Sequence, residues 1–178
     1  MRWFTKDWET ADEGGPGSLE TLRAYRLHVD SLKARLPSAF RVLVEAGGDV
    51  SLRDGRFIQV SRPFWEPDQL IFDIACWDLS GGILRDDIWT YPDLHVRIVY
   101  GGAELVSPAW DELVTIARDP ATEILHGEVD VTPEGRFMHR MLLGPTDAPI
   151  LAVRFSTADV IPVRFDGASM TVLQPPAG

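Results

Sequence analysis

Only one cysteine, Cys76, occurs in the 178 residues. No disulfide can form within the chain. The thiol lies in the apolar run Leu70 to Trp77, where a lone cysteine is far more often a small core residue than a nucleophile. Positive charge is scarce, with 17 Lys and Arg against 27 Asp and Glu and a formal charge of -10. Such a surface repels phosphate backbones and anionic lipid heads. Neither nucleic acid nor a membrane is therefore an expected partner, whereas a basic protein would be steered toward the chain. No apolar run approaches the roughly 18 residues of a membrane span. The opening Met-Arg-Trp-Phe-Thr-Lys-Asp-Trp also lacks the apolar core of a signal peptide, which with the single cysteine points to the cytoplasm.

Signatures of known chemistry are missing too. The sequence contains no Gly-x-Ser-x-Gly, no Cys-x-x-Cys, no His-Glu-x-x-His and no glycine-rich phosphate loop. No catalytic residue, metal-ligand set or cofactor is assigned on this basis. The balance leans away from an enzyme without excluding a site assembled from distant residues.

What the chain does have is enough apolar material for a core. Hydrophobic residues are 45% of the total, among them six Trp and eight Phe, and a chain of this length buries roughly 70% of its unfolded surface. One domain over residues 1–178 is expected. Thr5 suits the cap of a short first helix over Lys6 to Ala11, and residues 12–17 (Asp-Glu-Gly-Gly-Pro-Gly) read as a flexible loop. Ser18 then caps a helix whose stripe is Leu22, Tyr25, Val29, Leu32 and Leu36, ended by Pro37. Ala39 to Ala46 suits a further helical turn.

From Val50 the periodicity becomes that of strands. Arg56 to Ser61 and Gln69 to Trp77 are strands, the latter with Leu70, Phe72, Ile74 and Cys76 on one face. Ile83 to Trp89 suits another strand. Asp86 and Asp87 in it would point to opposite faces and cannot serve one site. Leu94 to Tyr100 alternates, and Gly101-Gly102 suggests a hairpin into Ala103 to Val106. Ser107-Pro108 suggests a helix start, an N-cap followed by Pro, with Trp110, Leu113, Val114 and Ala117 on one face. Ile161 to Phe165 and Ser169 to Leu173 read as a last hairpin, and residues 174–178 as a frayed tail. The predicted fold is α+β, with N-terminal helices packed on a mostly antiparallel, twisted sheet or open sandwich of about eight strands.

The best-defined register lies in residues 121–143. Thr132-Pro-Glu-Gly-Arg136 suits a three-residue hairpin loop with Gly135 in the left-handed conformation. This pairs Asp130 with Met138, Glu128 with Arg140 and His126 with Leu142. Leu125, Val129 and Val131 then share a core face with Phe137, His139, Met141 and Leu143. His126, Glu128 and Asp130 occupy the other face, but their ends are roughly 13 Å apart, too far for one ion to touch all three. A solvated outer face, with an exposed Glu128–Arg140 pair, is the simplest reading. His139, directed at the core, is the anomalous residue. It is more often a hydrogen-bonded core histidine than a ligand, and a functional role would need a carboxylate partner that the sequence does not name.

Three stretches together resemble an uncharacterised bacterial family known only as a domain of unknown function. They are Phe4-Thr5-Lys6-Asp7-Trp8, the helix end Leu36-Pro37, and the strand opening Ser51-Leu52-Arg53-Asp54-Gly55, with Leu125-His126-Gly127-Glu128 and Arg154-Phe155 similar further on. Members of that family usually carry His where Arg53 stands, so a role for a titratable imidazole there is lost in this chain. The resemblance implies a small intracellular bacterial domain and no assigned activity or cofactor.

The candidate binding residues are thus His139, Asp54, Glu128, Arg140 and His126. The leading expectation is a non-enzymatic binding domain, for instance an immunity-protein-like domain directed at a basic partner. One alternative is a metal-assisted or acid–base enzyme using Glu128, His126 and His139. The other is a small-ligand carrier with a cavity among Trp65, Trp77 and Trp89. Oligomeric state is not legible in the sequence.

Overall fold

A computed structural model describes residues 2–5, 16–44, 50–86, 88–145, 148–166 and 169–172. The predicted first helix over Lys6 to Ala11 and the tail 174–178 lie outside these residues.

Alternation builds the centre of the molecule. Strands β1 (Val50–Ser61), β2 (Leu70–Asp78) and β5 (Asp93–Gly101) pair antiparallel. In β2 and β5, Leu70 pairs with Tyr100, Phe72 with Ile98, Ile74 with Val96 and Cys76 with Leu94, and all eight are buried. Between β2 and β5 lie β3 (Ile83–Arg85) and β4 (Ile88–Thr90). These form a small hairpin of their own where a single strand over Ile83 to Trp89 was expected. Asp86, at φ 49°, reverses the chain there.

After β5 come β6 (Glu104–Ser107), helix α2 (Trp110–Arg118), β7 (Glu123–Val131), β8 (Phe137–Gly144), β9 (Leu151–Phe155), β10 (Thr157–Asp166) and β11 (Ser169–Val172). Among the described residues nine strands form one sheet in the order β11-β10-β5-β2-β1-β7-β8-β9-β6. Every neighbouring pair is antiparallel. The α+β class and the antiparallel sheet therefore stand as expected.

Two local readings are corrected. Gly101-Gly102 does not make a hairpin: Gly102, at φ 56°, turns the chain away from β5, and β6 pairs with β9 at the far edge of the sheet. Ser107 does not cap the following helix either. It still belongs to β6, and α2 begins beyond it at Trp110 with Ala109 in the cap position.

The sheet bends at β1. Ser51 pairs with Trp77 and Arg56 with Ala75, so residues 52–55 bulge out of the ladder with β2. Within the bulge Asp54 adopts φ 61°. A Cβ on Gly55 would lie 2.6 Å from the Leu52 carbonyl oxygen, so only glycine fits. Gly55 makes the single bridge to β7, opposite Ile124. Beyond that point the two parts of the sheet diverge and their inner faces meet across the core. Tyr100 of β5 stands 5.1 Å from Phe155 of β9, ring centre to ring centre, and Phe40 lies 6.3 Å from the first and 5.2 Å from the second. Phe40 belongs to a short 3-10 helix, Ser38–Leu43.

Helix α1 spans Pro16–Leu32, so Pro16 and Gly17 belong to a helix and not to the expected loop; proline is well tolerated in a first turn. The helix closes the edge of β7 that β1 has left. The Val129 N–H donates to the Tyr25 hydroxyl at 2.9 Å, and the Val129 carbonyl lies 3.2 Å from His28 Nε2. Both backbone groups thus find side-chain partners where a neighbouring strand would have served. No described helix is long and apolar enough to cross a membrane.

Candidate functional site

The β7–β8 hairpin has the register that its turn chemistry dictates. Glu128 pairs with Arg140, Asp130 with Met138 and His126 with Leu142. Gly135 sits at φ 84°, and the Thr132 N–H donates to the Arg136 carbonyl at 2.7 Å. Near the start of β7 an irregularity between Ile124 and His126 shifts the pairing, so that Ile124 and not Leu125 faces Leu143.

The outer face of this hairpin is not solvated, contrary to the sequence reading. Glu128 is only 1% exposed. Its carboxylate accepts the Arg2 N–H at 2.8 Å and the Trp3 N–H at 2.9 Å, while Arg140 Nη1 stands 3.5 Å away. Phe4 stacks on His126 at 5.0 Å, and His28 Nε2 lies 3.4 Å from Asp130. Three sequence-predicted residues, His126, Glu128 and Arg140, are therefore brought together, but under the chain's own residues 2–5. The carboxylate was exposed in the sequence reading because a local register cannot show what a segment more than a hundred positions away will cover. Among the described residues no group of three His, Cys, Asp or Glu is placed to hold a metal ion.

His139 points inward as expected and is 2% exposed. Its Nδ1 is hydrogen-bonded to the Tyr100 hydroxyl at 2.7 Å, and Phe40 packs edge-on against the ring. Burial pulls the imidazole down to about 3 and drives the Tyr100 phenol well above its usual range. The ring is thus neutral at pH 7. Its polar partner is a tyrosine, where a catalytic role would have called for a carboxylate.

Asp54, the remaining candidate, lies elsewhere. It lines two adjoining concavities at the end of the sheet where β1 bulges. One, of about 350 Å³, is formed by Asp54, Arg56, Cys76, Trp77, Asp93 and Glu123 among others. The second, of about 390 Å³, is formed by Arg53, Asp54, Trp77, Leu79, Trp89 and Tyr91 with their neighbours. Asp54 and Trp77 line both, so the two make one groove. The bulge explains Asp54, since the left-handed conformation re-aims its side chain off the strand. Cross-strand pairing explains Asp93, which lies opposite Trp77. Tyr91 stacks on Trp89 with ring centres 6.1 Å apart and planes inclined by 10°.

The groove is electrostatically uneven. The Arg56 guanidinium is paired with the Glu123 carboxylate. The side-chain carboxylates of Asp54 and Asp93, by contrast, make no ion pair or hydrogen bond among the described residues. Cys76 is buried, and desolvation, with Asp78 adding to it, pushes its thiol up to about 12, which leaves it a poor nucleophile.

The β3–β4 hairpin flanks this groove, and all six of its residues are exposed. Ile88 is 68% exposed and Trp89 57%, with Ile83 and Leu84 also open. Of the three tryptophans expected to line one cavity, Trp77 and Trp89 do so. Trp65 lies on the turn between β1 and β2 and is not among the lining residues. Sequence reasoning missed Tyr91 and Asp93. The available signal was the crowding of Trp89, Tyr91 and the Gly81-Gly82 turn, which does not read as core.

Comparison of the chain with protein-family models, with characterised proteins and with solved structures finds no match. The site's chemistry rests on its own geometry.

Proposed function

We propose that the chain is a non-enzymatic, cytoplasmic protein-interaction domain whose partner is a basic protein, in the manner of an immunity protein, and that the β3–β4 hairpin and the adjoining groove form the binding face. One observation carries this reading. Leu84 and Trp89 pair on one face of this short hairpin, Ile83 and Ile88 lie on the other, and all four are exposed. Large apolar side chains left open on both faces of one projecting element of a folded domain mark contact with another macromolecule. Charge supports the choice of partner, since a chain of formal charge -10 accelerates encounter with cations and opposes it with anions. The candidate acid–base residues favour no reaction. Glu128 is committed to backbone N–H groups, and His139 is enclosed.

The test is affinity capture from the native host at low and high salt, using the wild-type chain and an Ile88→Ser/Trp89→Ala variant. A basic protein retained by the wild type, weakened by salt and lost with the variant is the expected result. Retention of nothing, or equal retention by both chains, overturns the proposal.

A second reading has one observation in its favour. Trp77 and Trp89 line a concavity of about 390 Å³, within the size range of small-molecule sites. A carrier role predicts a shift in tryptophan fluorescence with some member of a metabolite panel, and an unchanged spectrum across the panel removes it.

A further inference from the structure

We infer that the Asp54–Trp77–Asp93 end of the groove is a subsite for one cationic side chain, an arginine or a lysine, of the partner protein; the inference rests on the interaction reading above and names what that face recognises.

Four features of the groove converge on this. First, it is a formed concavity of about 350 Å³, so an incoming side chain loses part of its contact with water. Second, the charge inside it is unbalanced. Its one arginine, Arg56, is held by Glu123, which leaves Asp54 and Asp93 as carboxylates without a cation among the described residues. Arg53 lines the adjoining concavity and is absent from the walls of this one, so the negative end is the one bounded by Asp93. Third, Trp77 supplies an aromatic wall that is 37% exposed. A cation placed over an indole face gains attraction beyond that of the carboxylates, and more so as it is desolvated. Fourth, the walls are fixed in place. Trp77 is paired on one side with Ser51 and on the other with Asp93. Asp54 is locked at φ 61° by a bulge in which Gly55 admits no side chain. A pre-set geometry lowers the entropy lost on binding. Together these favour a planar guanidinium or an ammonium group over a neutral or anionic one.

The experiment is an NMR titration of the full chain with the peptide acetyl-Gly-Arg-Gly-amide, its lysine counterpart, and the citrulline version, which keeps the shape of arginine and lacks its charge. The expected result is saturable, millimolar binding of the charged peptides that shifts the Trp77 indole N–H and the Asp54 and Asp93 amides. The citrulline peptide should bind about tenfold more weakly or not at all. Asn tolerates the left-handed conformation, so an Asp54→Asn/Asp93→Asn variant keeps the fold and should lose about tenfold in affinity for the arginine peptide. Equal binding of the arginine and citrulline peptides, no saturable shift, or undiminished binding by the double variant overturns the subsite. Partner capture by the same double variant separates the two claims. If small cations fail to bind while capture still depends on Ile88 and Trp89, the subsite falls and the interaction reading stands.

Discussion

The Tyr100 hydroxyl and His139 Nδ1 lie 2.7 Å apart in the closed interior, one on β5 and the other on β8, so a polar bond spans the core between the two parts of the sheet. It satisfies both groups where water cannot reach them. Tyr100→Phe removes one partner and strands the other. The expected loss is about 1–3 kcal/mol of stability at pH 7, read by urea unfolding. A change below about 0.3 kcal/mol would mean that the imidazole is satisfied in another way.

The same histidine sets a pH dependence. Its folded value is lowered from 6.5 to about 3. Between those limits the unfolded chain binds a proton that the folded chain does not. Stability is therefore full above 6.5 and falls as pH drops through the window, by at most about 1.4 kcal/mol per unit from this group. His139→Gln keeps a polar side chain and removes the titration, so its stability should fall less steeply between pH 6.5 and 4. Denaturation midpoints measured across that range decide the point, and parallel slopes for the two chains would count against it.

Glu128 fastens residues 2–5 to the sheet. Glu128→Ala removes the acceptor of the Arg2 and Trp3 amides and leaves Arg140 without its buried partner. A loss of about 2–4 kcal/mol is expected. Amide exchange at Trp3 should rise by a larger factor than exchange in β2, and uniform acceleration would show that the segment does not open separately.

Gly55→Ala tests the bulge. The added methyl would meet two backbone oxygens, of Leu52 at 2.6 Å and of Ala75 at 3.1 Å, and neither can move without disturbing β1. A cost of about 1–3 kcal/mol is expected, together with shifted Asp54 and Trp77 resonances. An Ala variant as stable as the parent, with an unchanged spectrum, would contradict the tight bend.

Cys76 offers an independent check on the interior. With its thiol pushed up to about 12 and its side chain buried, it should react with an aromatic disulfide reagent at pH 8 only slowly, and fully once denaturant is added. Rapid labelling of the native chain would mean that β2 is exposed at that end.

The strands of this fold were legible because burial imposes a period. Leu70, Phe72, Ile74 and Cys76 announce an inner face, and Thr132 to Arg136 carry their own turn chemistry, so register followed from local rules. Strand order was not legible. Nothing near Gly101-Gly102 says that β6 will cross to β9, because the choice is made by Leu105 finding Val153 some fifty residues later. Asp54 was singled out by sequence, but its groove partners come from β2 and the turn after it, β4 and the loop after it, β5, and the start of β7. Concavity is a property of several segments at once and leaves no periodic trace in any of them. The reading of Glu128 as exposed failed in the same way, since its cover arrives from residues 2–5.

Because Tyr25 and His28 stand in for a missing neighbour along β7, the start of the chain acts as a guard. A strand left open at Val129 is a template on which a second copy can add its own backbone. Truncation before Leu32 would therefore do more than lower stability: it would turn a self-contained fold into one prone to strand exchange and aggregation.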